Sequence, residues 1–227
     1  MTLRCGRHLR RLLPLALTAI LLLTAAHARC ADNPPALRVG AAAVNLQSND
    51  KMDIAGSLEA HYATGQEGEL RAVAVVIELG KERIAIVACD VLFLPRDLAD
   101  PALAEIEKTT GIPPSHVLVN ATHTHHAPST VPAHAFGVSE EFRQTVQKGI
   151  VQSVQDANKH LTGGDCRFFF KLGEENTVGG NSRLQLDDGN ITWLNPLREA
   201  AGNVRPTGPF DPQLPVLDFR DAQGKSR

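Results

Sequence analysis

Val117–Pro128 reads VLVNATHTHHAP, a short apolar run that ends in three histidines. Taken as a strand over Val117–Thr122, its side chains alternate faces, so His123 and His125 project to one side and His126 to the other. Two imidazoles at i and i+2, at the mouth of a buried strand, form a compact nitrogen pair for a divalent metal. A metal there lowers the pKa of bound water enough for attack on an amide or ester near neutral pH. The competing reading is three solvated loop histidines.

Working back from this run, Asp100-Pro101 reads as a helix start, an acidic cap followed by Pro at the first position. The helix is expected over Pro101–Thr110, stopped by Gly111 and Pro113-Pro114. Before it, Arg71–Leu79 and Arg83–Leu92 are β-rich and joined by Gly80-Lys81-Glu82, a hairpin. Strand, helix and histidine strand make a β-α-β unit with parallel pairing, and ligands gather at the C-terminal strand ends, where Asp90 and His123 fall. Leu37–Val44 is a further strand, and Asp50–Gly68 a long polar loop.

Downstream, Ser139 caps a longer helix whose buried stripe is Phe142, Val146, Ile150 and Val154, closed by Gly163-Gly164. Cys166–Leu172, Asn190–Leu194 and Val216–Phe219 read as strands. A turn at Asp221–Gly224 leaves Lys225–Arg227 to begin a returning strand. The pattern predicts an α/β fold, a mixed sheet with flanking helices, incomplete at the C-terminus because a hairpin without its second arm leaves backbone groups unpaired.

The first 28 residues stand apart. Arg4, Arg7, Arg10 and Arg11 precede a Leu-rich segment and the small-x-small triplet Ala26-His27-Ala28, the pattern of a secretory signal too short for a comfortable membrane span. Residues 1–28 are read as signal peptide, 29–36 as linker and 37–227 as the folded portion, with a secreted or periplasmic location and no transmembrane segment in the mature chain. Of 23 Lys and Arg, four lie in the leader, which holds no acid; 19 remain against 25 Asp and Glu, a formal charge of −6. No clustered basic surface points to nucleic acid. Cys30, Cys89 and Cys166 remain, an odd number with no CxxC spacing, so thiolate zinc is not expected, and Cys89 lies in an apolar run as a core residue.

Several stretches together resemble the N-terminal part of the neutral/alkaline non-lysosomal ceramidase family, in particular its shorter secreted bacterial relatives. They are Leu37–Gly40, Ile54-Ala-Gly56, Ala72–Leu79, Ile84–Leu92, Gly111-Ile-Pro-Pro114, Ala121-Thr-His-Thr-His125 with Pro128, Asn181-Ser-Arg183, Asp188-Gly189, Gly208-Pro209 and Asp211-Pro212. The resemblance spans essentially the whole mature chain, and THTH is its most specific element. It implies a zinc-dependent amidase that cleaves the N-acyl bond of a sphingolipid to a fatty acid and a sphingoid base. It implies Zn2+ held by His123, with a second His, a Glu and a Tyr that this chain does not supply. His125 is implied to orient or protonate the reacting groups, and Arg183, near Asn181, to hold substrate. This chain departs from the pattern at His126-Ala127 and at Ser182. A metallo-β-lactamase pattern is excluded, since Ala127 and Pro128 stand where HxHxDH needs Asp and His.

Each candidate has a plainer reading. His125 reads equally as a ligand on the same face as His123. His126 faces away and is as much structural as functional. Asp90 is a partner for an imidazole N–H or a helix-loop cap. Arg183 beside Asn181 contacts substrate or forms a turn-stabilising salt bridge. His134 sits in the loop VPAHAFG, a surface residue or part of a cover. The rival function is a non-catalytic secreted module that keeps the fold and binds a ligand or partner.

Overall fold

The computed structural model describes residues 35–65, 68–179, 181–193 and 205–227. The stretch expected to be a signal peptide, most of the expected linker and Cys30 lie outside the described residues. Four strands form the main sheet in the spatial order β1-β2-β3-β4: β1 Leu37–Asn45, β2 Arg71–Leu79, β3 Glu82–Cys89 and β4 Val117–Ala121. β1, β2 and β3 pair antiparallel, whereas β4 runs parallel to β3. Helix α1, Arg96–Thr110, makes the crossover between the parallel strands, and α2, Glu140–Lys159, follows β4. This is the mixed α/β sheet with flanking helices that the periodicity predicts.

Side-chain size decides how closely the layers meet. On one face of the sheet, β2 contributes Ala72, Ala74 and Val76 opposite Cys89, Val87 and Ala85 of β3, all buried. α2 packs on β1, β2 and β3 through Phe142, Val146, Ile150 and Val154, each fully buried, and α1 packs against α2. Ser139 caps α2 as expected, its hydroxyl accepting from the Phe142 amide at 3.2 Å. Cys89 is a free thiol inside this core, where burial first, and the neighbouring Asp90 second, push its pKa up to about 12.

At the end of the sheet that carries the β2–β3 turn, Glu78 binds two cations. Arg38 Nη1 and Arg83 Nη2 each lie 2.7 Å from its carboxylate. Arg83 also donates to the Thr110 carbonyl at 3.1 Å and to Asn158 Oδ1 at 3.0 Å, and Arg38 donates to the Thr162 carbonyl at 3.0 Å. One carboxylate thereby ties three strands to the C-terminal ends of both helices.

Several element bounds differ from the sequence reading. α1 begins at Arg96, so Asp100 is not its cap and Pro101 lies inside it. Pro101 removes one intrahelical bond, but starting a turn earlier buries Leu98 on the same stripe as Ala102 and Ile106. α2 ends at Lys159 with His160 as its cap, ahead of Gly163-Gly164. β3 stops at Cys89 because the Asp90 carboxylate takes the Arg71 amide at 2.9 Å, replacing the next ladder bond.

The remaining strands form two smaller sheets. β5 Arg167–Glu174 pairs antiparallel with β9 Gln213–Arg220 as a two-stranded ribbon. β6 Arg183–Gln185 lies between β7 Ile191–Trp193 and β8 Arg205–Pro206. β6 and β8 are too short to show a periodic pattern. After β9, Asp221 accepts from the Gln223 and Lys225 amides, and the chain turns back so that Ser226 bridges Arg220. No helix among the described residues is long and apolar enough to cross a membrane.

Candidate active site

β3 and β4 end side by side, with Cys89 opposite Ala121. The two chains stay together past that point. Thr122 N donates to the Cys89 carbonyl at 2.9 Å and His123 N to the Val91 carbonyl at 3.1 Å. His123 therefore lands beside Leu92 and Phe93. Its Nδ1 lies 3.0 Å from the Leu92 carbonyl, and its ring meets Phe93 edge-on at 5.4 Å between centroids. To do this His123 takes φ 61°, a left-handed conformation uncommon for a residue with a side chain.

His125 stands next to it, ring centroids 5.2 Å apart and planes at 75°. Its Nδ1 lies 2.9 Å from the carbonyl of Gly56, in the long loop after β1. A carbonyl only accepts, so in both imidazoles Nδ1 carries a hydrogen, and in the neutral ring the lone pair falls on Nε2. The pairing does not come from strand alternation, since β4 ends at Ala121. It comes from two loops that each offer a carbonyl.

Those loops are themselves anchored. Ala55 N donates to the Ala127 carbonyl at 3.0 Å, and Ser129 N to the Asp53 carbonyl at 2.8 Å. Asp53 Oδ2 accepts from the Gly137 amide at 2.7 Å. The Tyr62 hydroxyl hydrogen-bonds Asp53, and that bond, with the nearby negative charge, raises the Tyr62 pKa. Beneath, Ala55, Leu92 and Phe136 form a small buried cluster with Ala133. Phe136 thus supports, from the loop bearing His134, the two segments whose carbonyls hold His123 and His125. His134 itself adopts φ 51° and meets Phe136 edge-on at 6.4 Å.

The other candidates lie elsewhere. His126 and Asp90 line a separate concavity with His61, Tyr62, Thr124 and Pro128. The Asp90 carboxylate binds the Arg71 amide, while the imidazole hydrogen of His123 goes to Leu92. Asn181 and Arg183 belong to the three-stranded sheet: Asn181 Oδ1 accepts from the Arg183 amide at 2.9 Å, and its Nδ2 donates to the Gly208 carbonyl at 3.1 Å. Gly56, Leu92, Phe93 and Phe136 are the residues that sequence reasoning passed over. Backbone carbonyls carry no side-chain signature, and only the Gly56 in Ile54-Ala-Gly56 was there to be noticed.

The two Nε2 atoms have no hydrogen-bond partner among the described residues and are of the donor type that zinc takes. Among the described residues, however, no three His, Cys, Asp or Glu side chains converge to hold a metal ion. A catalytic zinc takes three protein ligands and an open position. The described residues do not by themselves make such a site.

No protein-family model matches the chain, and no curated protein matches it. Solved structures do. Neutral ceramidase from Pseudomonas aeruginosa superposes with a TM-score of 0.63 at 23% identity, over 86% of this chain and 31% of that one. A ceramidase complexed with C2 gives a TM-score of 0.62 at 25% identity, over 85% of this chain and 30% of that one. The chain spans under a third of the length of these ceramidases, and over that span its fold is ceramidase-like.

Proposed function

We propose that this chain forms part of a secreted or periplasmic zinc-dependent amidase that cleaves an N-acyl, ceramide-like bond to a fatty acid and an amine. The observation that carries the reading is the imidazole pair at the end of the parallel strands, each ring held through Nδ1 by a backbone carbonyl, in a ceramidase-like fold. Zinc bound at such a centre supplies Lewis acidity toward the amide carbonyl and a lowered pKa for water. His123 offers Nε2 as one ligand, with Leu92 fixing its tautomer and Phe93 its tilt. His125 holds or delivers a proton at Nε2 for the leaving amine, a general-acid role that contributes about 10²–10⁴-fold. Arg183 contacts the substrate, with Asn181 beside it holding its backbone amide.

The test is zinc content and hydrolysis of N-acyl-sphingosine, against short acyl amides, in the protein from the complete reading frame. His123→Ala is expected to lose zinc and activity together. His125→Ala keeps zinc and loses about 10²–10⁴ in rate. Stoichiometric zinc in His123→Ala overturns the ligand assignment. The absence of a three-donor cluster among the described residues favours a second reading, a non-catalytic module that binds a ligand or partner. Soluble, zinc-free protein with no amidase activity from the complete frame supports it.

A further inference from the structure

The contact between His125 and Gly56 is closer and more specific than a loop turn requires. Gly56 has φ 101°, outside the range that L side chains readily adopt. A Cβ built on it falls 2.5 Å from both Cγ and Nδ1 of His125. Other positive-φ glycines, Gly111, Gly189 and Gly224, serve turns where an added Cβ meets nothing within 4 Å. At Gly56 the imidazole occupies the space a side chain would take, while the same residue's carbonyl accepts from Nδ1 at 2.9 Å. Nor can the carbonyl drift easily. Ala55 N is bonded to Ala127, Ile54 bridges Pro128, and Asp53 is tied to Ser129 and Gly137.

We propose that Gly56 is a positioning residue: its carbonyl and bare α-carbon hold the His125 ring as the Nδ1–H tautomer, with Nε2 presented beside His123. The role rests on the reading of His125 as the proton-carrying group of an amide hydrolase. Nε2 can take up a proton, and pass it on from the doubly protonated ring, only if the hydrogen of the neutral ring sits on Nδ1. Displacing the ring by about 1 Å is enough to cost about 10²-fold in rate.

The tautomer can be read without metal or substrate, by long-range 1H–15N correlation on the chain labelled with 15N-histidine, at a pH where the ring is neutral. His125→Asn identifies the His125 signals by their loss. The native chain is expected to show Nδ1–H as the dominant form. Gly56→Ala is expected to abolish that preference while His116, whose Nδ1 lies 3.1 Å from the Arg83 carbonyl, keeps its native shifts. A dominant Nε2–H form in the native chain overturns the proposal. So does a folded Gly56→Ala with the tautomer unchanged.

Should Gly56→Ala not fold, stability decides. His125→Asn keeps a donor toward Gly56 and is expected to melt about 2–4 °C above His125→Ala; equal melting temperatures overturn the proposal. In the complete enzyme, a folded Gly56→Ala lowers kcat about 100-fold with little change in KM. Full kcat in His125→Ala instead defeats the amidase role of His125 and leaves the tautomer result standing.

Discussion

His123 holds a left-handed backbone at the candidate site. A left-handed backbone on a non-glycine residue is destabilising by about 1–3 kcal/mol and persists only where surrounding contacts fix it. Here the contacts are the bond to the Leu92 carbonyl and the edge-on Phe93 ring. Alanine removes both and keeps the strain, so His123→Ala is expected to destabilise by about 1–2 kcal/mol. Glycine removes the same contacts and relieves the strain, so His123→Gly is expected to be about 1 kcal/mol more stable than His123→Ala. Urea denaturation of the two variants checks the difference, and equal midpoints refute the strain. At this scale the sequence was half legible. The histidine triplet announced itself, but the groups that orient it are carbonyls of Leu92 and Gly56, which any residue could provide.

Elements that bury a periodic stripe were readable; the ways they meet were not. α2 was legible because Ser139, the first-turn acids Glu140 and Glu141, and Phe142, Val146, Ile150 and Val154 all point to one helix. The β2–β3 hairpin was legible from two β-rich runs around Gly80. The start of α1 was misread because Pro101 looked like a first-turn residue, whereas burial of Leu98 outweighs the bond that Pro removes. The α2–sheet contact shows how little of the packing is visible in periodicity. Gly40 on β1 lies against the backbone at the end of α2, and an added Cβ there overlaps the Ala157 carbonyl. Backbone cannot swing aside, so Gly40→Ala is expected to cost about 3 kcal/mol or more. Gly149→Ala meets only the flexible end of Leu46, and its gain in helix propensity of about 1 kcal/mol offsets the crowding. Thermal melts of the pair should therefore separate widely, and similar values for both refute this packing.

Glu78 acts at the same scale and adds a pH dependence. Its burial alone would raise its pKa, but hydrogen bonds from Arg83 and Arg38, with their charges, hold it below the ordinary 4.5. A depressed folded-state pKa contributes stability that is fully present above about pH 4.5 and is lost as pH falls through the lowered value. Glu78→Gln is expected to destabilise by about 1–2 kcal/mol at pH 7, toward the low end for charged hydrogen bonds because Arg38 stays partly exposed. Below the lowered pKa both proteins carry a neutral side chain there, so the gap should close. A gap that stays constant as pH falls below 4.5, through the whole acid range in which both proteins remain folded, refutes the electrostatic account.

Over the whole molecule, the sharpest contrast is between the sheet that α2 covers and the β5–β9 ribbon. Both strands were visible in the sequence as apolar runs, but their pairing was not, since about forty residues separate them and neither names its partner. The register sorts the ribbon into two unlike faces. On one, Phe168 faces Phe219, Phe170 faces Leu217 and Leu172 faces Pro215; on the other, Arg167 faces Arg220 and Phe169 faces Asp218. Phe170 is 60% exposed and Leu217 53%, so the apolar face is left open to water. Two-stranded ribbons are marginal in water, and their free edges add unpaired backbone groups to an apolar surface. The chain alone is therefore expected to self-associate through this face and to bind a hydrophobic dye strongly. Replacing the directly opposed pair, Phe170→Lys with Leu217→Glu, puts complementary charges across the strands and removes the centre of the patch. The double variant is expected to remain monomeric, by sedimentation, at concentrations where the parent chain associates, with its melting temperature nearly unchanged because the buried core lies in the other sheet. Unaltered association with the charged pair in place rules out the ribbon as the sticky surface and moves attention to the exposed Phe93, which touches His123, and to Leu118 on β4.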